Sequence, residues 1–203
     1  MLRQRVIFFV LVSFLFSGAS SGALSLERDT EHSSLKDMME GDRTAPVTII
    51  EYASLVCSHC ADFYLKTLPE LREKYIKTGK VRLIFREFIY EPRAAAGFML
   101  ARCLPKERYF SLIEVLFQKQ ADWAFVLDAK QPLMNLAKLA GFSEKTFEAC
   151  LQDQNLLDSL NRVVQRGRDD FGVQATPTFF INGRKYEGAL SFEKISEIID
   201  SLL

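Results

Sequence analysis

Ile49-Ile50-Glu51-Tyr52-Ala53-Ser54-Leu55-Val56-Cys57-Ser58-His59-Cys60 is the stretch on which the fold turns. The apolar positions Val47, Ile49, Ile50, Tyr52 and Ala53 read as a strand. Past the cysteines, Phe63, Leu65, Leu68, Leu71, Tyr75 and Ile76 recur at helical spacing. A strand running into a helix that opens on C-x-x-C sets the first sulfur at a helix N-terminus. Unpaired backbone N–H groups and the helix dipole favour a thiolate there. Cys57 is then the nucleophile, and Cys60, three residues on, the thiol that resolves its mixed disulfide.

Other uses of the pair fit less well. A structural zinc half-site needs a second ligand pair at similar spacing. Cys103 and Cys150 stand far apart, and His32 lies in a polar N-terminal segment. Covalent haem attachment needs histidine directly after the second cysteine, where Ala61 stands. A metallochaperone using the two thiolates would want further His or Met ligands nearby, and none follows before Met99.

The chain has 203 residues, 48% of them hydrophobic, enough for one sizeable core. Met1-Leu2-Arg3-Gln4-Arg5, an apolar run from Val6 to Phe16 and the small residues Ser17 to Ala23 form the three parts of a secretory signal peptide. Ser21-Gly22-Ala23 is the cleavage region. The expected organisation is a signal peptide over 1–23 and export to the periplasm. Removing Arg3 and Arg5 would leave the acidic residues slightly in excess, so no electrostatic footprint for nucleic acid arises. Outside the cytosol disulfides persist, and Cys103 and Cys150 are left for each other. A structural bridge between them would constrain the unfolded chain by about 4 kcal/mol by the chain-entropy argument. Two buried free thiols are the alternative.

Residues 24–44 read as a polar arm, mobile or one short helix, with Leu35, Met38 and Met39 as its few apolar positions. Pro46 to Ala53 is the first strand, Cys57 to Thr78 the helix stopped by Gly79, and Val81 to Phe88 a second, parallel strand. From Pro92 the pattern turns helical: Arg93 to Leu104, Lys106 to Lys119, Pro132 to Ala140, a segment capped by Ser143, and Asn155 to Arg168. Thr178 to Ile181, the turn pair Asn182-Gly183 and Lys185 to Glu187 are a hairpin signature, and Ser191 caps a last amphipathic helix.

Strand, C-x-x-C helix, strand, helical insert, hairpin and helix is the order of an α/β thioredoxin fold with an inserted all-helical domain. Over Ala45 to Leu203 the chain resembles the DsbA-like family of exported thiol-disulfide oxidoreductases, on the stretch 49–60 and on Ala175-Thr176-Pro177-Thr178-Phe179-Phe180-Ile181-Asn182-Gly183. The implied layout is a first thioredoxin-like part over 45–91, a helical insertion over 92–168 and a second part over 169–203. The resemblance implies a cis Pro177 facing the cysteine pair, with Thr176 backbone groups open to an extended substrate. It also implies that Glu51 sits beneath the disulfide and takes up the proton of Cys60. A strand-end glutamate reaching solvent is the alternative reading of Glu51. The family often carries a second acid after the C-x-x-C. Asp62 is near, but Tyr64 occupies the turn expected to face the site.

A helix terminus supplies at most about 2 kcal/mol towards a thiolate. The backbone N–H groups of His59 and Cys60 and the His59 imidazole are therefore expected to supply more, making the disulfide a strong oxidant. The function implied is the oxidation of newly exported proteins with free cysteines, with a membrane partner of the DsbB type restoring the disulfide. No metal or organic cofactor is implied, and the chain is expected to act as a monomer. A disulfide isomerase or reductase of the same fold is the alternative.

Overall fold

The computed structural model describes residues 35–203, so the expected signal peptide at 1–23 lies outside the described residues. Five strands form one sheet in the order β1-β3-β2-β4-β5. They are β1 (Met38–Glu40), β2 (Val47–Ala53), β3 (Val81–Glu87), β4 (Thr178–Ile181) and β5 (Arg184–Glu187). The β2–β3 pair is parallel, with Glu51 opposite Phe85. β4 runs antiparallel to β2, with Glu51 opposite Phe179, and β5 closes the hairpin. Asn182 (φ 44°) and Gly183 (φ 84°) both take positive φ at its turn, as the Asn-Gly pair requires.

The expected polar arm is corrected in part. Met38–Glu40 is a short edge strand pairing antiparallel with β3. Ion pairs tie this segment down, Glu40 with Arg72 and Asp37 with Arg86. The bonds that make β1 a strand come from residues more than forty positions away, which local patterning does not record.

β2 lies inside the sheet and is buried on both faces, which accounts for its near-continuous apolar run. One face carries Val47, Ile49 and Ala53 against the main core. The other carries Ile50 and Tyr52, which pack with Phe88, Val164, Val173 and Phe180. Behind the first cysteine a single helical run, α1, covers 58–76. It is widened to π geometry at Phe63–Thr67 and Arg72–Ile76, where Leu68 N–H reaches back to the Phe63 carbonyl. Pro69, just beyond the first widened turn, has no N–H to give an α-helical ladder, and a helix accommodates such a residue by widening or kinking.

Between β3 and β4 the chain is helical: α2 (Pro92–Cys103), α3 (Tyr109–Gln118), α4 (Gln120–Trp123), α5 (Lys130–Leu139), α6 (Glu144–Leu151) and α7 (Gln154–Asp169). The expected Lys106–Lys119 helix begins as a 3-10 turn at Lys106–Arg108, and α4 extends the helical segment past it. Ser143 caps α6 through the Thr146 N–H, and Ser191 caps α8 (Phe192–Asp200) through the Lys194 N–H. A buried polar knot joins the helical segment to the sheet. Arg102 grips the Glu87 carboxylate with two bonds, and the Tyr109 hydroxyl donates to the same carboxylate at 2.7 Å. Cys103, at the end of α2, is disulfide-bonded to Cys150 in α6, with a Cα–Cα distance of 6.2 Å.

Candidate active site

The site stands where β2 hands over to α1. Cys57 occupies the N-cap in extended geometry, φ −93° and ψ 119°. Its N–H donates to the Ser54 carbonyl at 3.1 Å, and its own carbonyl receives the Ala61 N–H at 3.1 Å. The loop between strand and helix is thus pinned at both ends. The Cys57 sulfur is half-buried and its thiol lies 3.3 Å from the Thr176 carbonyl, to which it donates when protonated. Thr176 and Pro177 are 119 and more residues further along the chain, and the bond between them is cis. Cys60, one turn deeper, is fully buried.

Electrostatics separate the two thiols. The Cys57 pKa falls to about 5, chiefly because the Cys60 thiol donates to its sulfur. The Thr176 side chain and the backbone N–H groups of Cys60 and His59 add to this, against the opposing effect of burial. The bond from the protonated Cys57 thiol to the Thr176 carbonyl favours the thiol, but the convergent donors outweigh it. Cys60 is pushed well above an ordinary thiol by burial, by its donation to Cys57 and by the neighbouring Glu51. The result is one half-buried thiolate and one fully buried thiol.

Glu51 does not reach solvent. It is completely buried on the central strand, and neither carboxylate oxygen has a hydrogen-bond partner. Its register neighbours are Phe85 and Phe179. Burial raises its pKa well above the usual carboxylate range, and the nearby Cys57 charge raises it further. Its charge and those of the two sulfurs act on one another.

The His59 side chain is exposed, and its backbone N–H is the group that acts on the Cys57 sulfur. Asp62 is exposed and paired with Lys66, so it is turned to the surface. Tyr64 does not face the cysteines as its helical turn suggested. It is buried against Phe85 and Phe117, and its hydroxyl meets the Phe110 carbonyl and Arg72. Phe179 and Phe180 are buried on the two faces of β4.

Two neighbours of the site left no mark in the sequence patterning. Tyr90, half-exposed just past β3, stacks edge-on against Phe88 and interacts with the Thr176 side chain. Gln120, buried at the start of α4, donates its side-chain amide to the Leu55 carbonyl at 2.8 Å and the Cys57 carbonyl at 3.1 Å. One glutamine beside Gln118, Lys119 and Asp122 gives no hint of a partner more than sixty positions away. Among the described residues, no three His, Cys, Asp or Glu side chains gather where they could hold a metal ion.

A family model described as Thioredoxin matches residues 33–201. The crystal structure of Wolbachia pipientis alpha-DsbA1 superposes with a TM-score of 0.77 at 31% sequence identity, over 82% of this chain and 90% of that one. The chain belongs to the DsbA-like thiol-disulfide oxidoreductases of the thioredoxin superfamily. A Rickettsia bellii protein that carries the name of a protein-disulfide oxidoreductase is 30% identical over 171 residues, which cover 82% of this chain. This DsbA-like chain spans 64% of the length of that relative. BdbD from Bacillus subtilis shares the fold, with a TM-score of 0.73 at 20% identity over 82% of this chain and 92% of its own.

Proposed function

We propose that this protein is an exported thiol oxidase that introduces disulfide bonds into newly translocated proteins. The observation that carries the reading is the asymmetry of the pair. A half-buried Cys57 ringed by donors lies above a fully buried Cys60 and an unpartnered Glu51.

In the oxidised form a substrate thiolate attacks Cys57 Sγ. The Cys57–Cys60 bond breaks, and its electron pair leaves on Cys60. A buried thiolate is costly, so Cys60 takes a proton, for which the Glu51 carboxyl is the nearest store. A second substrate thiolate then attacks the substrate sulfur of the mixed disulfide. Cys57 departs as a thiolate held by the N–H groups of His59 and Cys60. The products are an oxidised substrate and a reduced Cys57–Cys60 pair, which a membrane partner of the DsbB type returns to the disulfide. Thr176 and Pro177 flank Cys57 and offer backbone to an extended substrate. A thiolate stabilised in this way stabilises the reduced protein, which favours oxidase over reductase or isomerase work.

On the same reading residues 1–23 are a cleaved export signal. Segments 45–91 and 169–203 form the thioredoxin-like unit, and 92–168 the inserted helical domain. Cys103–Cys150 is its structural staple, and the chain acts as a monomer.

Trapping tests the mechanism. In a Cys60→Ala variant the Cys57 thiolate can still attack a disulfide of a substrate, expelling one substrate thiolate. No Cys60 thiol remains to displace the substrate from Cys57, so mixed disulfides should accumulate and be visible by non-reducing electrophoresis of exported proteins. A Cys57→Ala variant should capture none. Adducts on the Cys57→Ala variant and none on the Cys60→Ala variant would reverse the assigned roles.

A further inference from the structure

The geometry points to Gln120 as a positioning residue of the redox site: its carboxamide, carried by the helical segment, holds the Leu55 and Cys57 carbonyls and so fixes the orientation of the nucleophilic sulfur. The inference rests on the oxidase reading and deepens it by assigning a residue outside the C-x-x-C stretch to control of the thiolate.

The residue is 7% exposed, and its side-chain amide meets the Leu55 carbonyl at 2.8 Å and the Cys57 carbonyl at 3.1 Å. A primary amide has two N–H donors, so one nitrogen serves both acceptors. The Cys57 carbonyl already receives Ala61 N–H, the first bond of α1, and Cys57 N–H is bonded to Ser54. Gln120 adds the link that ties residue 55 to residue 57 across the turn. Stabilisation of the thiolate depends on aiming Sγ at the N–H groups of residues 59 and 60, and hydrogen bonds weaken steeply with misalignment. A residue that fixes the peptide bearing Sγ therefore acts on the thiolate without touching it.

Gln120 is itself held rigidly. Trp123, on the same short helix, is fully buried and donates its indole N–H to the Leu116 carbonyl at 2.9 Å. Beyond it, Arg93 Nη1 bonds the Ala124 and Val126 carbonyls at 2.7 and 2.8 Å. A Cβ on Gly97 would meet Leu55 Cδ1 at 2.8 Å, so α2 presses on the same loop. The helical segment thus grips the cysteine loop through packing and through this one amide.

Substituting Gln120→Met keeps length and bulk while removing both donors, and Gln120→Glu puts an acceptor against two acceptors. With the Cys57 thiolate absorbance followed across pH, the midpoint of either variant should rise by about 0.5–1 unit. That is roughly a three- to tenfold change in thiolate equilibrium at fixed pH. A merely structural residue would lower the melting temperature of the reduced protein and leave the midpoint in place. Folded variants whose midpoint matches the wild type would overturn the inference. A wild type that itself titrates like a free cysteine would instead sink the oxidase reading. Should the variants not fold, the wild type still decides. The side-chain amide resonances of Gln120, followed by nuclear magnetic resonance across pH, should shift with the Cys57 midpoint near 5, and resonances that stay fixed through it would refute the coupling.

Discussion

Replacing Glu51 by leucine should make the oxidised protein more stable and its redox pair slower to turn over. Both carboxyl oxygens of Glu51 are buried without a partner among Phe85 and Phe179. An unsatisfied buried polar group costs about 1–3 kcal/mol, so an apolar side chain of similar size should recover about that much. The pH dependence is the sharper signature. Burial raises the folded-state pKa of Glu51 far above its unfolded value of 4.5. Well below pH 4.5 both states hold the proton, and only the pH-independent cost of the unpartnered carboxyl remains. As pH rises towards the folded pKa, the unfolded chain releases its proton while the folded protein keeps it. The wild type therefore loses stability relative to Glu51→Leu at about 1.4 kcal/mol per pH unit. By pH 6 the gap should exceed its value at pH 4 by about 2 kcal/mol. Urea denaturation of both proteins with Cys57 and Cys60 oxidised isolates the effect, because neither thiol then titrates. A gap that stays flat between pH 4 and pH 7 would refute the buried, protonated Glu51. The same variant should slow steps in which Cys60 gains or loses its proton, measurable as single-turnover rates.

Replacing Cys103 and Cys150 together by alanine should cost about 2–5 kcal/mol of stability in chemical denaturation, with the Cys57 titration unmoved; unchanged stability would refute the staple. Gly167→Ala would set a Cβ 2.8 Å from the ring of the fully buried Tyr52, between α7 and the sheet. Overpacking of that kind should cost about 1–3 kcal/mol, read as a lowered denaturation midpoint, and a neutral result would mean that helix and sheet can move apart.

Much of this arrangement was legible because it is local. The strand-to-helix step at Ala53–Cys57, the Asn182-Gly183 turn and the Ser143 and Ser191 caps each follow from neighbours within a few residues. Pro177 beside the cysteines was legible through family likeness alone, since no spacing rule spans the 119 residues between Thr176 and Cys57. The remainder is non-local. Met38–Glu40 becomes a strand only by pairing with β3, and the widened turns of α1 answer to Pro69 and to packing. The Gln120 amide finds its acceptors only once α4 is folded against the cysteine loop. Tyr64 is likewise placed by distant partners, its ring against Phe85 and Phe117 and its hydroxyl at the Phe110 carbonyl, which helical spacing does not record.

The central claim is that donors converging on Cys57 make its thiolate, and hence the reduced protein, unusually stable. Equilibrating the purified protein with glutathione buffers and quantifying Cys57–Cys60 by thiol trapping gives the reduction potential directly. The account predicts a value well above that of thioredoxin, about −270 mV, and towards that of DsbA, about −120 mV. A potential at or below the thioredoxin value would contradict it.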